Sequence, residues 1–112
     1  MLLTLPWPPS SLSPNKRQHW RVTARAKKAY REACAYHARL QGAREISAER
    51  LHVRLRFVPP DKRRRDLDNL IASMKAGLDG LADGLGVDDH KWSLAVEVSD
   101  QIGWFVRVEV IS

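Results

Sequence analysis

The sequence contains a single cysteine, Cys34, among 112 residues. One thiol excludes an internal disulfide and a cysteine-based zinc site, so Cys34 is interpreted as a small, semi-buried side chain on a predicted helix. Long apolar runs are also missing, since none approaches the ~20 residues that a membrane span requires. The apolar start at residues 1–5 is too short for a signal-peptide core and runs into Pro6 and Pro8. These absences predict a soluble, cytoplasmic protein without a membrane partner.

Acidic residues are the minority of the charges. The 13 Asp and Glu residues against 19 Lys and Arg residues give a net charge of +6. Such an excess favours an anionic partner such as nucleic acid or an acidic membrane surface, although many small basic proteins bind neither. The length predicts one domain over residues 1–112. A hydrophobic share of 44% suffices for one modest core, to which dimerisation would add buried surface.

The pattern of apolar residues predicts six secondary-structure elements. Strands are expected over residues 2–6, 51–58, 92–98 and 104–110, and helices over 20–40 and 67–82. Alternation over 51–58 gives this strand one apolar face and one basic face. The order β-α-β-α-β-β implies an α+β fold, in which a mixed sheet is covered by helices on one side.

The apolar positions of both helices recur at three- and four-residue steps, which predicts one buried face for each helix. The face of the first helix comprises Val22, Ala26, Ala29, Ala33 and Leu40. The face of the second comprises Leu67, Leu70, Ile71, Met74, Leu78 and Leu81. Trp92 and Trp104 fall in phase with buried strand positions, so both are expected in the core.

The most informative stretch is the charged run at residues 62–70, between a predicted strand and a predicted helix. Asp66 and Asp68 stand two residues apart there and can turn toward one point. If the third strand neighbours the second, the acidic pair at residues 88–89 could reach the same point. Hard divalent cations such as Mg²⁺ prefer carboxylate oxygens, and the arginines at 63–65 supply positive charge for a phosphate backbone. The pattern is typical of metal-assisted phosphodiester cleavage.

The same residues can also be explained by ordinary structural roles. Asp66 taken alone is more simply explained as a helix cap, and Asp68 by attraction to the positive end of the helix. Residues 63–65 would then be a solvated loop, and residues 88–89 an ordinary turn. Their joint occurrence at two loops expected to converge is what favours a functional site.

Three segments carry a resemblance to a known family. The run Arg63-Arg64-Arg65-Asp66-Leu67-Asp68-Asn69-Leu70 resembles the R-R-D-x-D-N-L signature of RusA-type Holliday junction resolvases. The opening Leu5-Pro6-Trp7-Pro8-Pro9-Ser10 is similar to the L-P-x-P-P-S start of that family, and Asp88-Asp89 matches its D-D pair. The resemblance spans about residues 2–110. It implies a homodimeric endodeoxyribonuclease, dependent on Mg²⁺ with Mn²⁺ as a substitute, that makes paired nicks in branched, four-way DNA during recombination and repair.

The resemblance also implies roles for individual residues. Asp66, Asp68 and Asp89 would be the metal-binding and catalytic carboxylates. Arg65 would bind or orient the scissile phosphate, and Asn69 would support the site. Further DNA contacts are expected from Arg63, Arg64, Asn15, Lys16, Arg17 and His19, although a polar loop before a helix explains the last four equally well.

One position departs from the family pattern. The family has a lysine four residues after its second aspartate, where this chain has Ala72. Lys75 stands seven residues after Asp68 and therefore falls on nearly the same helix face, together with Asp79. A supporting catalytic role is assigned to Lys75, with a solvent-facing lysine as the alternative.

Three functions fit these observations. The first is a Mg²⁺-dependent, structure-selective endonuclease that resolves four-way junctions. The second is a branched-DNA-binding module of the same fold that has lost cleavage, for which Ala72 is the best support. A homodimeric structural domain with coincidental charges is the third. The carboxylates favour the first, because acidic groups facing phosphate do not help a protein that only binds DNA.

Overall fold

The computed structural model describes residues 1–111, so Ser112, the last residue of the predicted domain, lies outside the described residues. It confirms the predicted α+β order. The elements are β1 (Leu2–Pro6), α1 (Trp20–Leu40), β2 (Leu51–Val58), α2 (Leu67–Leu85), β3 (Trp92–Val98) and β4 (Phe105–Ile111). Two short 3₁₀ turns, Ser10–Leu12 and Asp89–Lys91, were not expected from the sequence. Within residues 1–111, no helix combines the length and the apolar character needed to cross a membrane.

The four strands form one mixed sheet in the order β1-β4-β2-β3. β4 pairs antiparallel with both β1 and β2, whereas β2 and β3 are parallel, with Leu51 opposite Trp92 and Phe57 opposite Val98. A parallel pair requires a crossover connection, and α2 provides it. Consequently the segment after β2 and the segment before β3 lie at opposite ends of these two strands.

The alternation of β2 is confirmed. Leu51, Val53, Leu55 and Phe57 are buried, while His52, Arg54 and Arg56 are exposed. Buried residues of β1 and β4 join the same cluster: Leu3, Leu5, Val106, Val108 and Val110. The core therefore lies between one face of the sheet and the two helices, and the other face is solvated.

α2 largely follows the prediction, but it is longer. Leu70, Met74, Leu78 and Leu81 are buried as expected, whereas Leu67 is exposed and Ile71 half-buried. The helix continues three residues beyond Ala82 to Leu85, because Gly84 fits inside it and Gly86, with a φ of 69°, provides its left-handed C-cap.

α1 buries a different face from the predicted one. Its buried residues are Tyr30, Cys34, Ala35 and Ala38, so Cys34 is fully rather than partly buried. Val22, Ala29 and Leu40 are exposed, and Ala26 and Ala33 are half-buried. The reason is the close approach of α2. An added Cβ at Gly80 would lie 2.2 Å from the carbonyl oxygen of Arg31, so the backbone of α1 lies directly against α2 here and the α1 face at this contact is the buried one.

Candidate active site

A groove of about 940 Å³ lies at the end of the sheet where β2 stops and β4 starts. Three parts of the chain line it: the N-terminal loop at residues 7–15, the segment 60–73 that leads into α2, and Trp104 before β4. The groove holds three consecutive arginines and one of the predicted carboxylates, Asp66. It therefore brings together two of the sequence segments that the motif analysis singled out.

Arg65 holds the loop of the groove together. Its Nη2 donates to Oδ1 of Asp61 at 2.8 Å, and its Nη1 donates to the carbonyl oxygens of Asp61 and Arg63, both at 3.1 Å. The guanidinium also lies over the ring of Trp7, 5.6 Å from its centroid, and the side chain is only 15% exposed. Most of its donors are thus used inside the protein.

Asp61 supports the groove through Arg65, although it is not itself a lining residue, and the sequence analysis missed it. Its Oδ1 accepts a hydrogen bond from the backbone N–H of Arg63 at 3.0 Å, which is an Asx turn. This bond, followed by the side chain of Arg65, lowers the pKa of Asp61. A signal was present in the sequence, because an aspartate that follows two prolines is typical of a turn.

Arg63 and Arg64 are exposed on the wall of the groove. Arg63 makes one loose contact, with its Nε 3.3 Å from Oδ1 of Asp61, and its side chain is 79% exposed. Arg64 makes no ion pair within residues 1–111. These two guanidinium groups are the ones available to an anion in the groove.

Asp66 occupies the N-cap position of α2, but its side chain makes no capping hydrogen bond. The interpretation of Asp66 as a capping side chain is therefore wrong in this structure. Asp68 lies in the first turn, where its Oδ1 accepts from the backbone N–H of Asn69 at 3.0 Å. Both carboxylates are exposed, and neither forms an ion pair in the described part of the chain.

Asn69 and Ser73 lie one turn apart on the side of α2 that lines the groove. The hydroxyl of Ser73 donates to the backbone carbonyl of Asn69 at 2.9 Å. The side chain of Asn69 is half-buried and lines the groove together with Asp66.

Lys75 is engaged with two carboxylates. Its Nζ donates to Oδ1 of Asp79 at 2.8 Å and to Oδ2 of Asp89. The hydrogen bond to Asp79, followed by that to Asp89, raises the pKa of Lys75. Lys75 is therefore a charged group that joins α2 to the 3₁₀ turn before β3. Its side chain is 61% exposed, so it faces solvent, as the alternative interpretation expected, while it pairs with two carboxylates.

The three expected carboxylates are not assembled into one cluster. Among residues 1–111, no three His, Cys, Asp or Glu side chains stand close enough to hold a common metal ion. Asp66 and Asp68 lie at the start of α2, whereas Asp89 lies beside Lys75, which starts about 10 Å further along the helix axis than Asp68. The parallel pairing of β2 and β3 explains this separation, because it brings the chain into β3 from the far end of the sheet.

Asp88, the first residue of the acidic pair, has a different partner. Asp88 lies 3.3 Å from Nδ1 of His90, and the hydrogen bond from His90 lowers the pKa of Asp88. In the described part of the chain, the ion pair of His90 is therefore with Asp88, whereas Asp89 pairs with Lys75.

The N-terminal loop contributes one of its four expected residues to the groove. Asn15 is among the lining residues, whereas Lys16 and Arg17 are exposed outside the lining. His19 is the N-cap of α1, where its Nδ1 accepts from the backbone N–H of Arg21 at 3.1 Å. In this structure His19 therefore has an ordinary structural role, as the residue that caps α1.

The two strand tryptophans differ from each other. Trp92 packs against the core, and its Nε1 donates to the carbonyl of Val87 at 3.1 Å, as expected of a largely interior indole. Trp104 is 68% exposed and lines the groove, so its assignment to the core is wrong. The strand begins only at Phe105, and the alternation does not extend back to Trp104.

Comparisons with known proteins match this chain over most of its length. The family model described as Endodeoxyribonuclease RusA matches residues 6–110. A protein of Xylella fastidiosa (strain Temecula1 / ATCC 700964), described as an uncharacterized protein, is 38% identical over 103 residues, which cover 89% of this chain and 67% of the relative. The matched region includes the groove, α2 and the Lys75–Asp89 pair. The chain therefore belongs to the RusA endodeoxyribonuclease family.

Proposed function

We propose that this protein resolves four-way DNA junctions by paired nicks, as a Mg²⁺-dependent and structure-selective endonuclease. Family membership supports a junction endonuclease. The observation that carries the proposal is the juxtaposition of Asp66 with the exposed Arg63 and Arg64 in one open groove. Positive charge attracts the DNA backbone. A carboxylate among those charges can hold a metal ion that assists the cleavage of a phosphodiester.

The carboxylates of α2 fit a hard cation. Asp66 makes no capping bond and Asp68 accepts only one backbone hydrogen bond, so both retain free oxygen lone pairs. Mg²⁺ is commonly held by one or two carboxylates and keeps several waters, so Asp66 and Asp68 suffice in number. The third carboxylate of the proposal, Asp89, stands apart from them in this structure, beside Lys75. The chemistry that such an ion supplies when bound is the activation of water and the neutralisation of charge on the phosphate.

Lys75 is proposed as the positioning residue for Asp89, in place of the lysine that the family pattern expects at Ala72. The contact between Lys75 and Asp89 supports this role. A cation beside Asp89 fixes where this carboxylate points, which a metal ligand requires. If Lys75 takes the place of the missing lysine, Ala72 no longer favours an inactive binding module.

The nuclease proposal is tested with a synthetic four-way junction and a linear duplex of the same arms, each incubated with Mg²⁺ or with EDTA. We expect paired nicks in the junction only, and only with Mg²⁺. Binding of the junction without nicks under every metal condition would contradict the proposal and would indicate the non-cleaving module.

Asp68→Asn tests the metal ligands. Because a bound metal contributes several kcal/mol to the transition state, we expect nicking to fall by more than about 100-fold while junction binding is kept or tightened. Asp83→Asn is the matched control, since Asp83 is an exposed aspartate at the other end of α2 and its variant should cut normally. Normal cutting by Asp68→Asn would remove Asp68 from the site.

A homodimer is also proposed. Two equivalent sites suit a two-fold substrate, and the edge strand β3 leaves part of the apolar sheet face uncovered, with Leu94 42% and Val98 43% exposed. Leu94→Glu should then give a monomer, measured by light scattering against the 12.8 kDa chain mass. Ile111→Glu is the control, because Ile111 has the same exposure but points to the opposite face. A wild-type chain that runs as a monomer would refute this part.

A further inference from the structure

Trp104 has an unusual backbone conformation. Its φ is 81°, and no other non-glycine residue among residues 1–111 has a positive φ. A bulky L-residue in this region is a genuine outlier, because the left-handed conformation brings Cβ too close to the backbone. Such strain persists only where the surrounding structure imposes it, and it is concentrated at functional sites.

The surrounding turn fixes Trp104 in this conformation. Its backbone N–H donates to the carbonyl of Val58 at 2.8 Å, and that of Gly103 donates to the carbonyl of Pro59 at 2.9 Å. Gly103 itself has no space for a side chain, since a Cβ there would lie 2.5 Å from Phe105 and 2.6 Å from Val58. These two bonds hold the backbone up to Trp104, and the pairing of Phe105 with Val58 holds it immediately after.

The turn by itself does not require tryptophan. Glycine or asparagine occupies a left-handed turn position at lower cost, and an indole that is 68% exposed buries little apolar surface in return. The strain at Trp104 is thus not offset by packing. What the indole gains is its position on the groove wall.

The surroundings of the indole are those of a nucleic-acid surface. Trp104 lines the same groove as Arg63 and Arg64, whose guanidinium groups are exposed. The other groove tryptophan, Trp7, is held between the ring of Phe57, at 5.8 Å edge to face, and the guanidinium of Arg65. Trp104 is therefore the groove indole that leaves most of its ring surface to a ligand.

We propose that Trp104 is a stacking platform for an unpaired or unstacked base at the branch point of the DNA. This inference rests on the proposed function. Proteins that hold single-stranded nucleic acid combine a basic groove with aromatic side chains on which bases stack. A continuous duplex keeps its base faces stacked on each other, whereas a branch point exposes them. Trp104 would therefore contribute to the preference for branched over linear DNA.

The test compares Trp104→Ala and Trp104→Phe with the wild type in binding a four-way junction and a linear duplex without Mg²⁺. Loss of base–aromatic stacking corresponds to 1–3 kcal/mol, so we expect Trp104→Ala to bind the junction about 5- to 150-fold more weakly and to bind duplex unchanged. Trp104→Phe should retain most of the affinity. Trp20→Ala is the matched control, because Trp20 is also 68% exposed but lies outside the groove lining, and its variant should bind normally.

A fluorescent base analogue reports the contact directly. With 2-aminopurine at the branch point, wild-type protein should quench the emission by stacking, and Trp104→Ala should quench it less. Unchanged junction binding by Trp104→Ala would overturn the proposal. An equal loss of junction and duplex binding would overturn it too, and so would a change in oligomeric state, which would make the indole a subunit contact.

Trp104→Gly separates binding from folding. Because glycine adopts a φ of 81° without strain, this variant should melt within about 4 °C of the wild type and still lose junction affinity. A different result would contradict the proposed function itself: wild-type protein that neither binds nor nicks the junction. If the wild type binds and cuts, and Trp104→Ala does the same equally well, only the inference on Trp104 fails.

Discussion

The contact between α1 and α2 depends on the absence of a side chain at Gly80. A Cβ at this position would lie 2.2 Å from the carbonyl oxygen of Arg31 and 3.1 Å from the backbone nitrogen of Ala35. Both are backbone atoms, so no rotamer change can remove the clash, and the helices must move apart. Overpacking of this kind costs 1–3 kcal/mol or more, against a gain of about 1 kcal/mol for replacing a helical glycine by alanine. We expect Gly80→Ala to destabilise the protein by about 2 kcal/mol.

Gly84→Ala, one turn further along α2, should have the opposite effect. The nearest atom to its added Cβ is Cβ of Ala38 at 3.9 Å, an ordinary contact distance. The helix propensity gain of roughly 0.5–1 kcal/mol then remains without a steric cost. For a chain of this length the two variants should melt about 8 °C below and about 4 °C above the wild type, respectively.

Circular dichroism during thermal and urea unfolding measures both variants under one set of conditions. The urea midpoint should move with the melting temperature, while the m-value stays constant. A Gly80→Ala variant as stable as the wild type, or two variants that shift in the same direction, would refute the argument. The packing of α1 on α2 would then be looser than the distances indicate.

Three further predictions follow from single contacts. Asp83 accepts bidentate hydrogen bonds from Arg31 at 2.7 and 2.8 Å, and these lower the pKa of Asp83; Asp83→Asn should reduce the melting temperature by at most about 4 °C at pH 7. Because the folded-state pKa is the lower one, this difference should begin to shrink as the pH falls below the ordinary value of 3.8 and should vanish below the lowered folded-state pKa. Equal differences at pH 7 and pH 2.5 would contradict this prediction. Asp61→Asn removes the anionic partner of Arg65 and should speed tryptic cleavage of the loop, measured by mass spectrometry, with unchanged cleavage as the opposing result. Burial raises the pKa of Cys34 to about 12, so iodoacetamide should label this thiol only in urea, and rapid labelling of the native protein would contradict the burial.

The elements with strong periodicity could be predicted from sequence. The strict alternation from Leu51 to Phe57 admits one buried face, and the stripe from Leu70 to Leu81 admits one helix orientation, because the contrast between apolar and charged positions is large. α1 lacks this contrast, since alanines occur on several of its sides. Its buried face is decided by Gly80 on another helix, which is a non-local cause.

Trp104 illustrates a second limit. A period-two pattern says which residues share a face, but not where the strand begins. A positive φ at Trp104 interrupts the pattern one residue before β4 and turns an expected core residue toward the groove. A tryptophan does not predict a left-handed turn position, because turns of this conformation usually contain glycine or asparagine.

The arrangement of the carboxylates depends on a topological fact that the sequence leaves open. A neighbouring β3 could run parallel or antiparallel to β2, and the two possibilities place the loop before β3 at opposite ends of the sheet. With the parallel pairing, Asp89 lies beside the middle of α2. A lysine at position 72 would lie nearer to Asp68, whereas Lys75 lies about one turn further along the helix. The contact of Lys75 with Asp89 is the result. The shift of the lysine by three residues thus agrees with the position of its partner, and this agreement between helix and turn supports the role proposed for Lys75.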